Sequence, residues 1–375
     1  MDMGFDMRNI AQSFVNGRVC RLAASIVFVI ALSSCYGGLE APCRPIDESN
    51  WINTPLFQEI SIPDPVLARC IHDTRSSTVE EVTAVRCATQ TNCPRIEDTT
   101  GINQLTNLVN LDLSSHYFDT IDVSQNNKLK ILDIGFSNVS ELDLSNNPEL
   151  ETLVISHTDI TELDIKSNTA LKKLTARGLT FSTDELTEND SIEHLDIVAT
   201  GYTTFDGSRY PALVSLDIST TPLTEIDLSQ NNQLEELVIA RTPITFLDIS
   251  NNPNLDYLYI WLTDLESLDL SSNTKLTHAY LDQNKIEDIN LANSASLTEL
   301  RLNDNKLSSI DISSSEQLQE LYLNNNDVQD IDITSNHQLE FLLIGNNPIS
   351  CDRVEEIVNN KPSSATEIVG PRECE

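Results

Sequence analysis

Residues 234–254 read Leu234-Glu-Glu-Leu-Val-Ile-Ala-Arg-Thr-Pro-Ile-Thr-Phe-Leu-Asp-Ile-Ser-Asn-Asn-Pro-Asn254, with aliphatic residues at places 1, 4, 6, 11, 14 and 16 of the stretch. Places 4 and 6 alternate as in a short strand, while the other gaps are too irregular for a helix of 3.6-residue period. The same unit recurs every 21 residues without insertion. Its openers are Leu108, Leu129, Leu150, Leu171, Ile192, Leu213, Leu234, Leu255, Leu276, Leu297, Leu318 and Leu339, giving eleven full units and a partial twelfth. A fixed period of this length predicts a stacked solenoid: each coil contributes one strand, and parallel strands about 4.8 Å apart line up their aliphatic residues as interior ladders. Solenoids of this kind mostly bind other molecules.

The side chains at places 3, 5 and 7 should point out from the sheet. In early repeats they include Asp112, Asp133, Asp196 and Asp217 with the small residues Ser114, Gly135 and Ser156. Later repeats carry Tyr257, Tyr259 and Trp261, then His278 and Tyr280, then Arg301, Tyr322 and Phe341. Only 5% of the chain is aromatic, so this is a concentration, and aromatics with Arg are what binding hot spots favour. These eight residues are the candidate ligand-binding patch. The competing reading is that Tyr and Trp simply suit exposed strand positions.

Place 9 holds Thr158, Thr200, Thr221, Thr242 and Thr263, then Asn284, Asn305, Asn326 and Asn347, where the chain must turn off the strand and a side chain can satisfy stranded backbone groups. Place 15 holds Asp122, Asp143, Asp164, Asp206, Asp227, Asp248, Asp269, Asp311 and Asp332, interrupted by Glu185 and Asn290. Like charges about 5 Å apart repel by roughly 0.8 kcal/mol even in water. Backbone hydrogen bonds within each turn would compensate. Calcium is the sharper alternative, but neither an EF-hand spacing nor a Gly-rich nonapeptide loop is present.

The pattern LxxLxLxxNxL in Leu297-Thr-Glu-Leu-Arg-Leu-Asn-Asp-Asn-Lys-Leu307 and Leu318-Gln-Glu-Leu-Tyr-Leu-Asn-Asn-Asn-Asp-Val328 resembles the leucine-rich repeat family. The continuation Leu142-Asp-Leu-Ser-Asn-Asn147 and the segment from Ile96 to Leu108 look like bacterial surface proteins of the internalin-like type, over roughly residues 82–350. The resemblance implies a curved right-handed solenoid with a parallel β-sheet on the concave face, irregular turns on the convex face, closure at both ends, and a protein or glycan ligand on the concave face. Two departures matter: Asp184 stands where Leu or Ile is expected, and Gly207 replaces the aliphatic of place 16. They predict a kink or loop near residues 180–212. There is no carboxy-terminal wall-sorting signal of the kind many internalins carry.

The amino terminus is of another kind. Arg8, Arg18 and Arg21 precede the apolar run Leu22–Leu32, too short to span a bilayer comfortably but right for a secretory leader, and the run ends in Leu32-Ser-Ser-Cys35. This resembles a bacterial lipobox, which would make Cys35 the lipidated first residue of the mature chain and the membrane a partner through that anchor alone. Six further cysteines remain: Cys43, Cys70, Cys87, Cys93, Cys351 and Cys374. Export permits disulfides. Distance along the chain pairs Cys351 with Cys374, and the reading expects Cys87 with Cys93 and Cys43 with Cys70.

Four segments follow: a signal peptide at 1–34, a linker and amino-terminal cap with a first irregular repeat at 35–107, repeats at 108–347 and a carboxy-terminal cap at 348–375. Short helices are expected within Ile62–His72 and Asp352–Asn359, and an extended stretch over Val79–Cys87. Lys and Arg number 23 against 58 Asp and Glu, a net charge of −35, which speaks against nucleic acid as a partner. No catalytic or cofactor-binding motif is present, and the six His are scattered through different places of the repeat. The chain therefore reads as a non-enzymatic binding protein of the cell surface or periplasm. A structural envelope role without a specific ligand, or a calcium-stabilised adhesin, are the alternatives.

Overall fold

The computed structural model describes residues 53–87, 93–181, 185–359, 367–370 and 374, all within one unit of the chain. Residues 1–34, which the sequence reading takes for a signal peptide, Cys35, Cys43 and Asp184 lie outside these residues. Fourteen short parallel strands form one sheet, beginning at Ala84–Arg86 and Asn110–Asp112 and ending at Phe341–Leu343 and Glu367–Val369. Neighbouring strands of the repeat pair residue for residue at the sequence period: Leu111 lies opposite Leu132, Leu132 opposite Leu153, and so on to Leu321 opposite Leu342. This place-4 ladder is buried throughout, broken in type only by Ala279. Full burial of each Leu contributes about 2 kcal/mol, and because each coil touches only its neighbours the core is one continuous seam.

Three hydrogen-bonded ladders join the coils around that seam. Every residue at place 8 from Ser115 to Asn346 has a positive φ, a left-handed bend that aims its N–H at the next coil: Phe136 donates to the Ser156 carbonyl at 2.8 Å and Arg241 to Trp261 at 3.0 Å. At place 9, Thr158 and Thr221 donate back to their own coil, whereas Asn305 and Asn326 bond carbonyls of two successive coils. At place 19, buried Asn147, Asn168, Asn252 and Asn273 each donate twice to the preceding coil. His116 stands at place 9 of the first unit, fully buried: it accepts from the Ile96 N–H and bonds the Cys87 carbonyl, and burial holds its pKa down.

The expected kink does not interrupt the sheet. Lys173–Thr175, His194–Asp196 and Ser215–Asp217 pair in unbroken register. Gly207 is a packing requirement, since a Cβ there would strike the Asn231 side chain and the Asp227 carbonyl. The volume it leaves out of the core is supplied by buried Tyr202, Phe205 and Tyr210, with Phe205 and Tyr210 stacked at 6.0 Å.

Helix α1 (Pro55–Glu59) and helix α2 (Pro65–His72) precede the sheet. Asp64 caps α2 by accepting from Val66 and Leu67, both at 2.9 Å, and its second oxygen accepts from Glu97 and Asp98. One buried carboxylate thus fixes the helix and the start of the first repeat together. The expected extended stretch opens with a 3-10 turn at Val79–Glu81 before its strand. Cys70 bonds Cys87, not Cys43, and Cys87 does not bond Cys93, with 5.6 Å between the Cα atoms of Cys70 and Cys87. The end of α2 lies beside the first strand, so docking of elements decides the pairing where sequence proximity suggested otherwise. Cys93 is itself disulfide-bonded. Cys351 bonds Cys374 as expected. Helix α3 (Cys351–Asn359) forms where helical spacing placed it, and the last strand, which no repeat announced, adds beside Phe341–Leu343.

Candidate functional site

Outward residues form two columns down the exposed sheet face. At place 3 the sequence of neighbours is Ser215, Glu236, Tyr257, His278, Glu299, Glu320 and Phe341. At place 5 it is Asp217, Val238, Tyr259, Tyr280, Arg301, Tyr322 and Leu343. Because strand spacing in a parallel sheet is close to the stacking distance of rings, in-register aromatics pile onto one another. Tyr257 stacks on His278 at 4.9 Å and Tyr259 packs on Tyr280 at the same distance. Within their strand the rings of Tyr257 and Tyr259 are parallel to within 5°.

Arg301 continues the place-5 stack, its guanidinium 4.7 Å from the Tyr280 centroid and 4.8 Å from that of Tyr322. Six of the eight candidate residues are thereby one connected array. Trp261 and Phe341 lie on the same face, at the edges, and make no ring contact among the described residues.

The acids beside the array are what the sequence reading missed. Glu299 accepts from Arg301 at 2.6 Å and from the Tyr280 hydroxyl at 2.7 Å; Glu320 accepts from the Tyr322 hydroxyl at 2.6 Å. Burial pushes the Tyr259 hydroxyl up to about 12 and raises those of Tyr280 and Tyr322, with the neighbouring carboxylates adding to the effect. All three stay protonated donors at neutral pH. Both acids sit at place 3 of the aromatic coils, so position was the available signal, but their partners depend on distances.

The early half of the face differs. Asp133 and Asp217, at place 5, are each pushed up to about 6 by burial. Arg177, at place 7 and not singled out from sequence, bridges Asp196 at 2.6 Å and reaches Asp217 at 4.0 Å. On the far side of each coil, the place-15 acids accept the N–H two residues on: Ser145 to Asp143, Ser229 to Asp227 and Ser250 to Asp248, all at 2.9 Å. These bonds hold the carboxyls of Asp143, Asp227 and Asp248 below their usual range. Among the described residues no group of three or more His, Cys, Asp or Glu is placed to hold a metal ion.

No family model and no curated protein matches the chain. Solved structures do. The functional domain of InlJ from Listeria monocytogenes, which includes a cysteine ladder, is 25% identical over 76% of this chain and 74% of its own, with a TM-score of 0.53. The internalin InlF of the same organism is 22% identical over 85% of this chain and 97% of its own, at 0.66. A leucine-rich repeat protein of Leptospira interrogans is 21% identical over 71% and 79%, at 0.57. The fold is the leucine-rich repeat solenoid.

Proposed function

We propose that this is a non-enzymatic, exported leucine-rich repeat protein that binds a macromolecular partner on the exposed face of its sheet. The observation that carries the reading is the stack itself. Tyr257, Tyr259, His278, Tyr280, Arg301 and Tyr322 hold each other in place before any ligand arrives, so little side-chain entropy remains to be lost on binding. A face built only for solubility has no use for a half-buried Glu299 orienting an Arg between two tyrosines.

Export is supported by the two disulfides, Cys70–Cys87 and Cys351–Cys374, which belong to an oxidising compartment. In this reading residues 1–34 are a leader and Cys35 carries the lipid. Among the described residues no helix is long and apolar enough to cross a membrane. Helices α1, α2 and α3 close the ends of the repeat array, because Leu56, Leu67 and Ile71 at one end and Val354 and Ile357 at the other join the same buried seam.

The experiment is to present the mature ectodomain, and a variant with Tyr259, Trp261 and Tyr280 replaced by Ala, to arrays of glycans and surface proteins. Binding by the wild type and not by the folded variant supports the site. Binding unaffected by the substitutions moves it elsewhere.

A further inference from the structure

Building on the binding role proposed above, we infer that the partner is a protein presenting lysine and arginine side chains, and not a glycan held by ring stacking. Sugar recognition by aromatic residues uses an open ring face. In this array Tyr280 is covered on both sides, by Tyr259 and Arg301, and Tyr257 and Tyr322 each carry a partner on one face, His278 and Arg301. On its other side Tyr259 adjoins the strand Glu236–Ala240. Val238 and Ala240 point outward at places 5 and 7, yet each is only 2% exposed. In register Val238 lies between Asp217 and Tyr259, and Ala240 lies beside Trp261, which sets a large ring next to each.

Beside the stacked rings the array presents hydroxyls and carboxylates. Tyr257 and Tyr259 make no side-chain hydrogen bond among the described residues, whereas those of Tyr280 and Tyr322 are held by Glu299 and Glu320. The single guanidinium of the array is neutralised by Glu299. Glu236 and Glu320 receive only hydroxyl donors, from Ser215 at 3.0 Å and Tyr322 at 2.6 Å, and meet no cation among the described residues. Asp282, at place 7 of the Tyr280 coil, accepts hydrogen bonds on its side chain from Asn303 and forms no ion pair among the described residues. A rigid aromatic base rimmed by carboxylates that lack cations, on a chain of net charge −35, complements a basic protein surface.

The test must separate a local site from the general attraction of an acidic chain. The probe is a fluorescein-labelled nonalysine peptide, titrated by anisotropy at 50 and 150 mM salt. Glu236→Gln with Glu320→Gln removes two charges from the face; Asp227→Asn with Asp248→Asn removes two from the opposite side of the coils. The first pair weakens binding about tenfold and the second less than about twofold. Equal weakening by both pairs overturns the inference, as bulk charge then explains the affinity. Capture of a neutral glycan that is lost on Tyr257→Ala with Tyr259→Ala, but unchanged by the two Gln substitutions, also overturns it while leaving the face as the binding site. If neither the tyrosine nor the glutamate variants alter any binding, the site itself is wrong. Circular dichroism and Tm verify that each variant folds.

Discussion

The guanidinium of Arg301 lies 4.7 Å from the ring of Tyr280 while its Nε donates to Glu299, the same carboxylate that accepts the Tyr280 hydroxyl. Three side chains from two coils thus close a small ring of contacts on an open sheet face. Planarity is what Arg contributes, since a lysine ammonium cannot stack between Tyr280 and Tyr322 while pairing with Glu299. Arg301→Lys is expected to destabilise the protein by about 0.5–1 kcal/mol and Arg301→Ala by somewhat more, both modest because the side chain is partly solvated. Chemical denaturation checks the energies; loss of near-ultraviolet tyrosine dichroism checks the stack.

Asp133 offers a pH test with a definite sign. Its folded pKa, about 6, lies above the ordinary 3.8 because of burial. At pH 7 it is ionised in both states and the folded state bears the desolvation penalty. As pH falls through 6 the folded protein takes up the proton first, so this group's contribution becomes more favourable down to about pH 4. Asp133→Asn should stabilise by about 1–2 kcal/mol at pH 7.5, keeping the acceptor for the Gly135 N–H, and by close to nothing at pH 4. Thermal melts of both proteins across that range check it. A constant difference between them at all pH values would remove the titration as its cause.

The two polar ladders on the turn side should differ sharply in energetic weight. Asn252 is fully buried and donates to Leu228 at 3.0 Å and Asn231 at 2.8 Å, so Asn252→Ala removes two buried coil-to-coil bonds, although each carbonyl keeps one backbone donor, and should cost about 1–2 kcal/mol. Asp248 is exposed and satisfied within its own turn. Asp248→Asn should cost less than about 1 kcal/mol, and millimolar calcium should leave the Tm of the wild type unchanged. A calcium-dependent rise lost in Asp248→Asn would instead make the place-15 column a metal site.

Left-handed backbone at place 8 is imposed by the coil-to-coil bond and not by the residues that occupy it. Thr220, exposed and with φ 59°, is a β-branched residue in a region that favours Gly or Asn. Thr220→Asn should stabilise by roughly 0.5–1 kcal/mol while retaining the bond from its N–H to Ala240. Calorimetry of the single variant suffices.

The period of 21 residues made the sheet, its register and its outward columns legible, because each depends on one coil repeating the last. What could not be read depended on contacts outside the repeat. Cys70 meets Cys87 through helix docking, Glu367–Val369 becomes a strand only because the sheet edge beside Phe341 is there to receive it, and Gly207 is tolerated because Tyr202, Phe205 and Tyr210 fill the core around it. The aromatic candidates fell together for the same reason that the ladders did. Their carboxylate partners were equally present in the sequence, yet Glu299 and Glu320 carry meaning only once the distances to Tyr280, Arg301 and Tyr322 are known.

The most direct measurement is an equilibrium binding comparison of the wild-type protein and the folded Tyr259→Ala, Trp261→Ala, Tyr280→Ala variant against the partner recovered from surface-protein and glycan arrays. A loss of more than about tenfold in affinity, with Tm preserved to within a few degrees, is the expected result for hot-spot residues. Equal affinity of the two proteins would contradict a binding site on this face.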